Sequence, residues 1–193
     1  VVVKGAPGAA FVKAMQDVVD ALPPVVHQVL RAANVTPVAC KTLTGAYKEL
    51  KGVTPRGWPA GTTWDNADGA CYGGDKPTVA ARYRDEWNGN QWADSNRSAH
   101  VMRHEIGHAY DQAAGFPSRS QSFRDAYAAD VAAADLGGGA SKIDSYFLQP
   151  GDAGPSEAFA QLVSRAVGGG RNENMPTALR WVQAMLGVGG TKP

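Results

Sequence analysis

Apolar residues recur at helical spacing over residues 9 to 22, where Phe11, Val12, Met15, Val18, Val19 and Leu22 share one face. Pro23-Pro24 stops that run, and a second helix is predicted from near Val25 to about Ala33. Val35 to Leu43 reads as a strand. Residues 52 to 77 are dense in Gly, Pro, Asp and Asn, which predicts turns around two short strands, TTWD and GACY. TVAARY, starting at Thr78, is a stronger strand, β-branched at one end and aromatic at the other. The longest helix follows. Ser95 or Asn96 caps it, its pattern carries through Ala114, and Gly115 and Pro117 end it. An alanine-rich helix over 120 to 135 stops at Gly137-Gly138-Gly139. Pro155-Ser156 opens another near Glu157 that runs to about Val167, and Pro176 starts the last, to about Leu186. Helices, a small sheet and then helices make the class α+β.

The 193 residues, 44% of them hydrophobic, suit one domain with two lobes. The division expected is an N-terminal lobe of about 1–114, a helical C-terminal lobe of about 115–187 and a frayed tail over 188–193. A formal net charge of +1 gives no electrostatic basis for nucleic acid or an anionic membrane as partner. No apolar run approaches the roughly eighteen residues of a membrane span. Val1-Val2-Val3, followed at once by Lys4 and Gly5, is too short for the apolar core of a signal peptide. Cys40 and Cys71 form no CxxC unit; an even count permits one disulfide and leans towards an extracellular protein.

Chemistry concentrates in HVMRHEIGHAYDQ, residues 100 to 112. His104-Glu105-Ile106-Gly107-His108 fits H-E-x-x-H. Two histidines four apart lie one above the other on a helix and can grip one cation from one face. Glu105 sits about 100° round the helix, placed to take a proton from a water that the metal polarises without itself being a ligand. The pair His100/His104 has the same spacing, but Val101 follows its first histidine, so no base accompanies it; His100 is expected to be a solvated or rim side chain near the helix start. A catalytic zinc keeps three protein ligands and one open position. Downstream candidates for the third are Asp111, Asp125, Asp130, Asp135, Asp144, Asp152 and Glu157. Asp111 has a short side chain on the histidines' own helix, better suited to bonding a ligand imidazole than to touching metal. Asp125, Asp130 and Asp135 look like a solvated face. Glu157 begins an otherwise apolar helix in which small Ala158 and Ala160 permit close packing, and it is the favoured ligand.

HEIGHAYDQ, followed downstream by SEAFAQLV, resembles the gluzincin metallopeptidases of the anthrax lethal factor and Pro-Pro endopeptidase type. DGACYGGDKPTVAARY is similar to that family's turn and edge strand. The resemblance spans about residues 35 to 167, with the two helical motifs as its specific part. It implies a zincin-like fold: N-terminal helices, a small mixed sheet with an edge strand, the HExxH helix and a helical C-terminal lobe. It implies one catalytic Zn2+ held by His104, His108 and Glu157, with Glu105 as general base. It also implies a secreted bacterial endopeptidase, its leader already removed, that takes a peptide or protein substrate along the edge strand. Such a protein is expected to be a monomer. The family's acid four residues past the glutamate ligand is Gln161 here, a neutral acceptor beside a zinc-binding histidine. The family's tyrosine about seven residues before that ligand falls on Pro150, so Tyr146, in DSYFLQPGDAG, is assigned as oxyanion donor ahead of Tyr110 and Tyr83. The loop RDEWNGNQWADSN is expected beside the cleft, with Trp87 and Trp92 stacking on proline rings or other apolar groups. Cleavage at Pro-Pro sites follows by analogy alone. The competing reading is a pseudoprotease that binds peptides without turnover, and the complete HEIGH motif speaks against it.

Overall fold

The computed structural model describes residues 1–55, 59–72, 78–82, 85–88, 91–94, 97–136, 142–168 and 174–189. Two compact units emerge: residues 1–20 with 34–105, and residues 21–33 with 106–193. The boundary after Glu105 falls inside one continuous helix.

In the first unit, strand β1 (Val2–Lys4) leads to helix α1 (Ala9–Asp20), which buries Phe11, Met15 and Val18, the same face the periodicity marks. After the second unit's α2 (Pro24–Ala32) come β2 (Thr36–Cys40), a short α3 (Leu43–Ala46), β3 (Gly69–Tyr72) and β4 (Thr78–Arg82). The sheet order is β1-β2-β4-β3. The first three strands run parallel and β3 runs antiparallel to β4. TVAARY is thus an interior strand and the shorter GACY forms the edge, the reverse of the expectation. The physical reason is that the chain doubles back: β3 hairpins onto β4, leaving β4's other side for β2. TTWD is no strand; Trp64–Asn66 is a 3-10 turn in which Asp65 accepts a bond from Thr44. The segment expected as a loop holds an antiparallel pair, β5 (Asp85–Asn88) and β6 (Gln91–Asp94), with Trp87 opposite Trp92. Ser95, Asn96 and Tyr83 lie outside the described residues, as does the ring stacking expected of the two tryptophans.

Residues alternate sides along a strand, and β3 uses both. Ala70 and Tyr72 join a cluster with Val38, Leu43, Tyr47 and Leu50, where the Tyr47 and Tyr72 rings stack at 5.6 Å. Gly69 and Cys71 take the opposite side. Cys40 and Cys71 are both thiols. They sit on β2 and β3, which flank β4, so two strand spacings of about 4.8 Å part them, beyond the reach of a disulfide.

Helix α4 (Arg97–Ala113) carries HEIGH. Its end is a Schellman closure: Gly115 at φ +79° lets its own N–H reach Gln112 O, and Phe116 N–H reaches Asp111 O. The second unit continues with α5 (Gln121–Leu136), α6 (Ala153–Gly168) and α7 (Pro176–Leu186). Its core is an aromatic triangle contributed by those helices. Phe123 meets Phe159 and Trp181 edge-on, each at 5.3 Å between centroids. Helix α7 has no capping side chain of its own. Asp130 of α5, 4% exposed, accepts bonds from Thr177 N–H and Ala178 N–H in its place. The expectation of Asp130 on a solvated face fails for that reason. Helix α6 starts at Ala153, ahead of the predicted start, which puts Glu157 in its second turn.

Candidate metal centre

His104 and His108 stand one turn apart on α4, and Glu157 reaches them from α6. One donor atom from each of the three lies within 4.8 Å of the others. His108 Nε2 is 3.1 Å from Glu157 Oε2, with side chains 17% and 22% exposed. A tetrahedral zinc with bonds of about 2.0–2.2 Å spaces its ligand atoms roughly 3.4 Å apart. The three donors therefore need only small side-chain adjustments to close on such an ion. Two imidazoles and one carboxylate, partly open to solvent, match the donor set that a zinc ion takes when one position is left open.

The rival carboxylates are engaged elsewhere. Asp125 accepts from Gln121, Asp144 accepts from Tyr146 N–H, and Asp152 pairs with Arg119 and Arg124. Asp111 is 2% exposed and spends both oxygens on Ser118: one on its N–H at 2.9 Å, the other on its hydroxyl at 2.6 Å. It ties down the turn after α4. The described side chains exclude that of Asp135.

Glu105 belongs to the first unit and lies against β3. A Cβ built on Gly69 would stand 2.4 Å from Val101 Cγ1, 2.9 Å from Glu105 Cγ and 3.0 Å from Glu105 Oε1. Glycine at 69 is what lets the edge strand's backbone approach the Glu105 side chain. The sequence carried a signal for this that was missed, since a glycine inside a short strand marks close backbone approach. Cys71, two residues on, shares that side. Burial first, and the Glu105 charge second, push its thiol up to about 12.

Gln161 is buried one turn beyond Glu157, and His100 is half-buried in the first turn of α4. Tyr146 is 48% exposed on a 3-10 turn, Ser145–Leu148, with its ring edge-on to Phe147. That turn is held at the start of α6: Tyr127 donates to Phe147 O, and Gly154 fits closely under the carbonyls of Phe147 and Gln149. Tyr110 is buried.

Burial raises the Asp111 carboxyl above its ordinary 3.8, with the Ser118 bonds and the His108 and Arg119 charges pulling it part of the way back. The folded chain holds that proton to higher pH than the unfolded chain does. Asp111 therefore makes stability fall as pH climbs from the ordinary carboxylate range through the raised one. Asp111→Asn should remove this component, so urea denaturation across the acidic range should show stability rising more steeply with pH in the variant than in the wild type. Superimposable pH profiles would contradict it.

No family model and no curated protein matches the chain. Among solved structures its fold is similar to that of an endopeptidase. That structure is the Pro-Pro endopeptidase PPEP-2 from Paenibacillus alvei, at a TM-score of 0.66 and 22% identity, covering 95% of this chain and 96% of the other. Among the described residues no helix is long and apolar enough to cross a membrane.

Proposed function

We propose that the chain is a zinc-dependent endopeptidase. The observation that carries this reading is the convergence of donors from His104 and His108 of α4 and Glu157 of α6 within 4.8 Å, with Glu105 directly after the first histidine. A zinc ion held by His104, His108 and Glu157 would supply Lewis-acid polarisation to the site. Glu105 takes the proton from the attacking water and returns it to the leaving amine. Its place against Gly69 brings that proton transfer beside the edge strand. Since β3 has only β4 as a strand neighbour among the described residues, its outer edge offers main-chain donors and acceptors to a peptide added as a further strand. Tyr146 is the proposed donor to the developing oxyanion; its exposure and its anchored turn leave the phenol accessible to a substrate. Gln161 and Asp111 are proposed to support the ligand helices. The fold shared with a Pro-Pro endopeptidase makes proline-rich sequences, with Trp87 and Trp92 as the stacking residues, the first substrates to try. Export from a bacterial cell is part of the same proposal.

Elemental analysis of the purified protein should give one zinc per chain, and a peptide library that includes Pro-Pro sites should be cut. Glu105→Ala should keep the zinc and lose cleavage by about a hundredfold or more, the scale of general acid–base catalysis. Zinc with no peptide cut by the wild type would leave a peptide-binding module instead. Absence of zinc would dismiss the metal site.

A further inference from the structure

Gly107, the residue between Ile106 and the second histidine, sits in the interior of α4, where glycine weakens a helix relative to alanine. The structure shows what forbids a larger residue. A Cβ at 107 would stand 2.6 Å from Ala160 Cα, 2.6 Å from Ala160 O and 3.0 Å from Ala160 C. All three are main-chain atoms, so no side-chain rotation relieves the overlap. Helices α4 and α6 touch backbone to backbone at this point. His108 follows Gly107 directly, and Glu157 lies one turn before Ala160. The crossing is thus the nearest fixed point to the 3.1 Å contact between His108 and Glu157.

Resting on the zinc reading above, we infer that Gly107 is a positioning residue for the metal: its missing side chain sets the helix separation that gives His108 and Glu157 their ligand spacing. Metal–ligand bonds tolerate only about 0.2 Å of error. A methyl group at 107 has to move α6 by several tenths of an ångström or more, and Glu157 moves with it. The same contact works in the other direction. Because the backbones already touch, α6 cannot come closer to compensate for a shorter carboxylate arm.

The test is zinc affinity of the metal-stripped protein, read by competition with a chromophoric chelator and accompanied by circular dichroism. Gly107→Ala should bind zinc about 10- to 100-fold more weakly, the scale seen when groups that orient ligands are removed. Adding Ala160→Gly should not restore it, since the clashing atoms are ones glycine also has. Glu157→Asp should also bind about tenfold more weakly or worse while folding like the wild type. Wild-type affinity in folded Gly107→Ala overturns the inference. Should Gly107→Ala fail to fold, Glu157→Asp decides: undiminished affinity there overturns it. A wild-type chain that binds no zinc at all defeats the underlying metal site itself, and is recognised before any variant is made.

Discussion

Glu157→Ala is expected to emerge from purification without stoichiometric zinc and without peptidase activity. The His104/His108 pair alone leaves two protein ligands on a helix, too few for a catalytic zinc site, which takes three. Structural four-ligand sites are worth about 10–16 kcal/mol, so one ligand carries about 3 kcal/mol and its loss about a hundredfold or more in affinity. The side chain is 22% exposed, and nearly all of α6's apolar face comes from other residues, so the fold should survive. Elemental analysis and a zinc-competition assay on the folded variant read the effect. The contrast with Glu105→Ala is the informative part, because that variant should lose turnover and keep metal. Full zinc occupancy in Glu157→Ala would hand the third ligand to another group.

The second large effect is structural. Phe123→Ala should destabilise the protein by about 3–5 kcal/mol, since it removes a fully buried ring and leaves a cavity among neighbours that cannot close in. Phe123 touches Phe159 of α6 and Trp181 of α7 at once, so two edge-on aromatic contacts go with it, each worth about 0.5–1.5 kcal/mol and already part of that total. Urea denaturation should show a lower midpoint at an unchanged slope. Phe159 is two residues from Glu157, so loosening its seat also loosens the proposed carboxylate ligand, and zinc affinity should fall in the folded fraction. A variant as stable as the wild type would mean that the three rings do not form the core of this unit.

Local signals made most helices legible. The stripe from Phe11 to Val18, the Pro23-Pro24 stop, the Gly115 closure and the Pro176 start are encoded within a few residues of where they act, and α1, α2, α4 and α7 lie close to those marks. The convergence of His104, His108 and Glu157 was legible for a similar reason, since four-residue spacing on a helix is a local property and the second motif stands on another helix. Pairing was not. Whether TVAARY or GACY holds the edge depends on which strand β2 joins, a partner far away in sequence. Strand β1 has three residues and is a strand only because Val38 to Cys40 receive it. Asp130 looked like a surface acid because its helix is alanine-rich, yet the orphan N–H groups that bury it come from a helix begun at Pro176. Gly69 and Gly107 were visible as letters, but only the approaching backbone explains them.

The division into two units follows from a chain that changes sides three times, after Asp20, after Ala33 and after Glu105. Helix α2 is therefore translated well before α4 finishes and before α5, α6 and α7 exist, the elements with which it shares a unit. Until then Val26 and Leu30, both buried in the finished protein, have no complete core to enter. A fragment beginning at α4 therefore lacks a piece of the second unit, and a fragment ending before α4 carries α2 without the rest of its unit. The unit that holds α2 is complete only once α7 has been made.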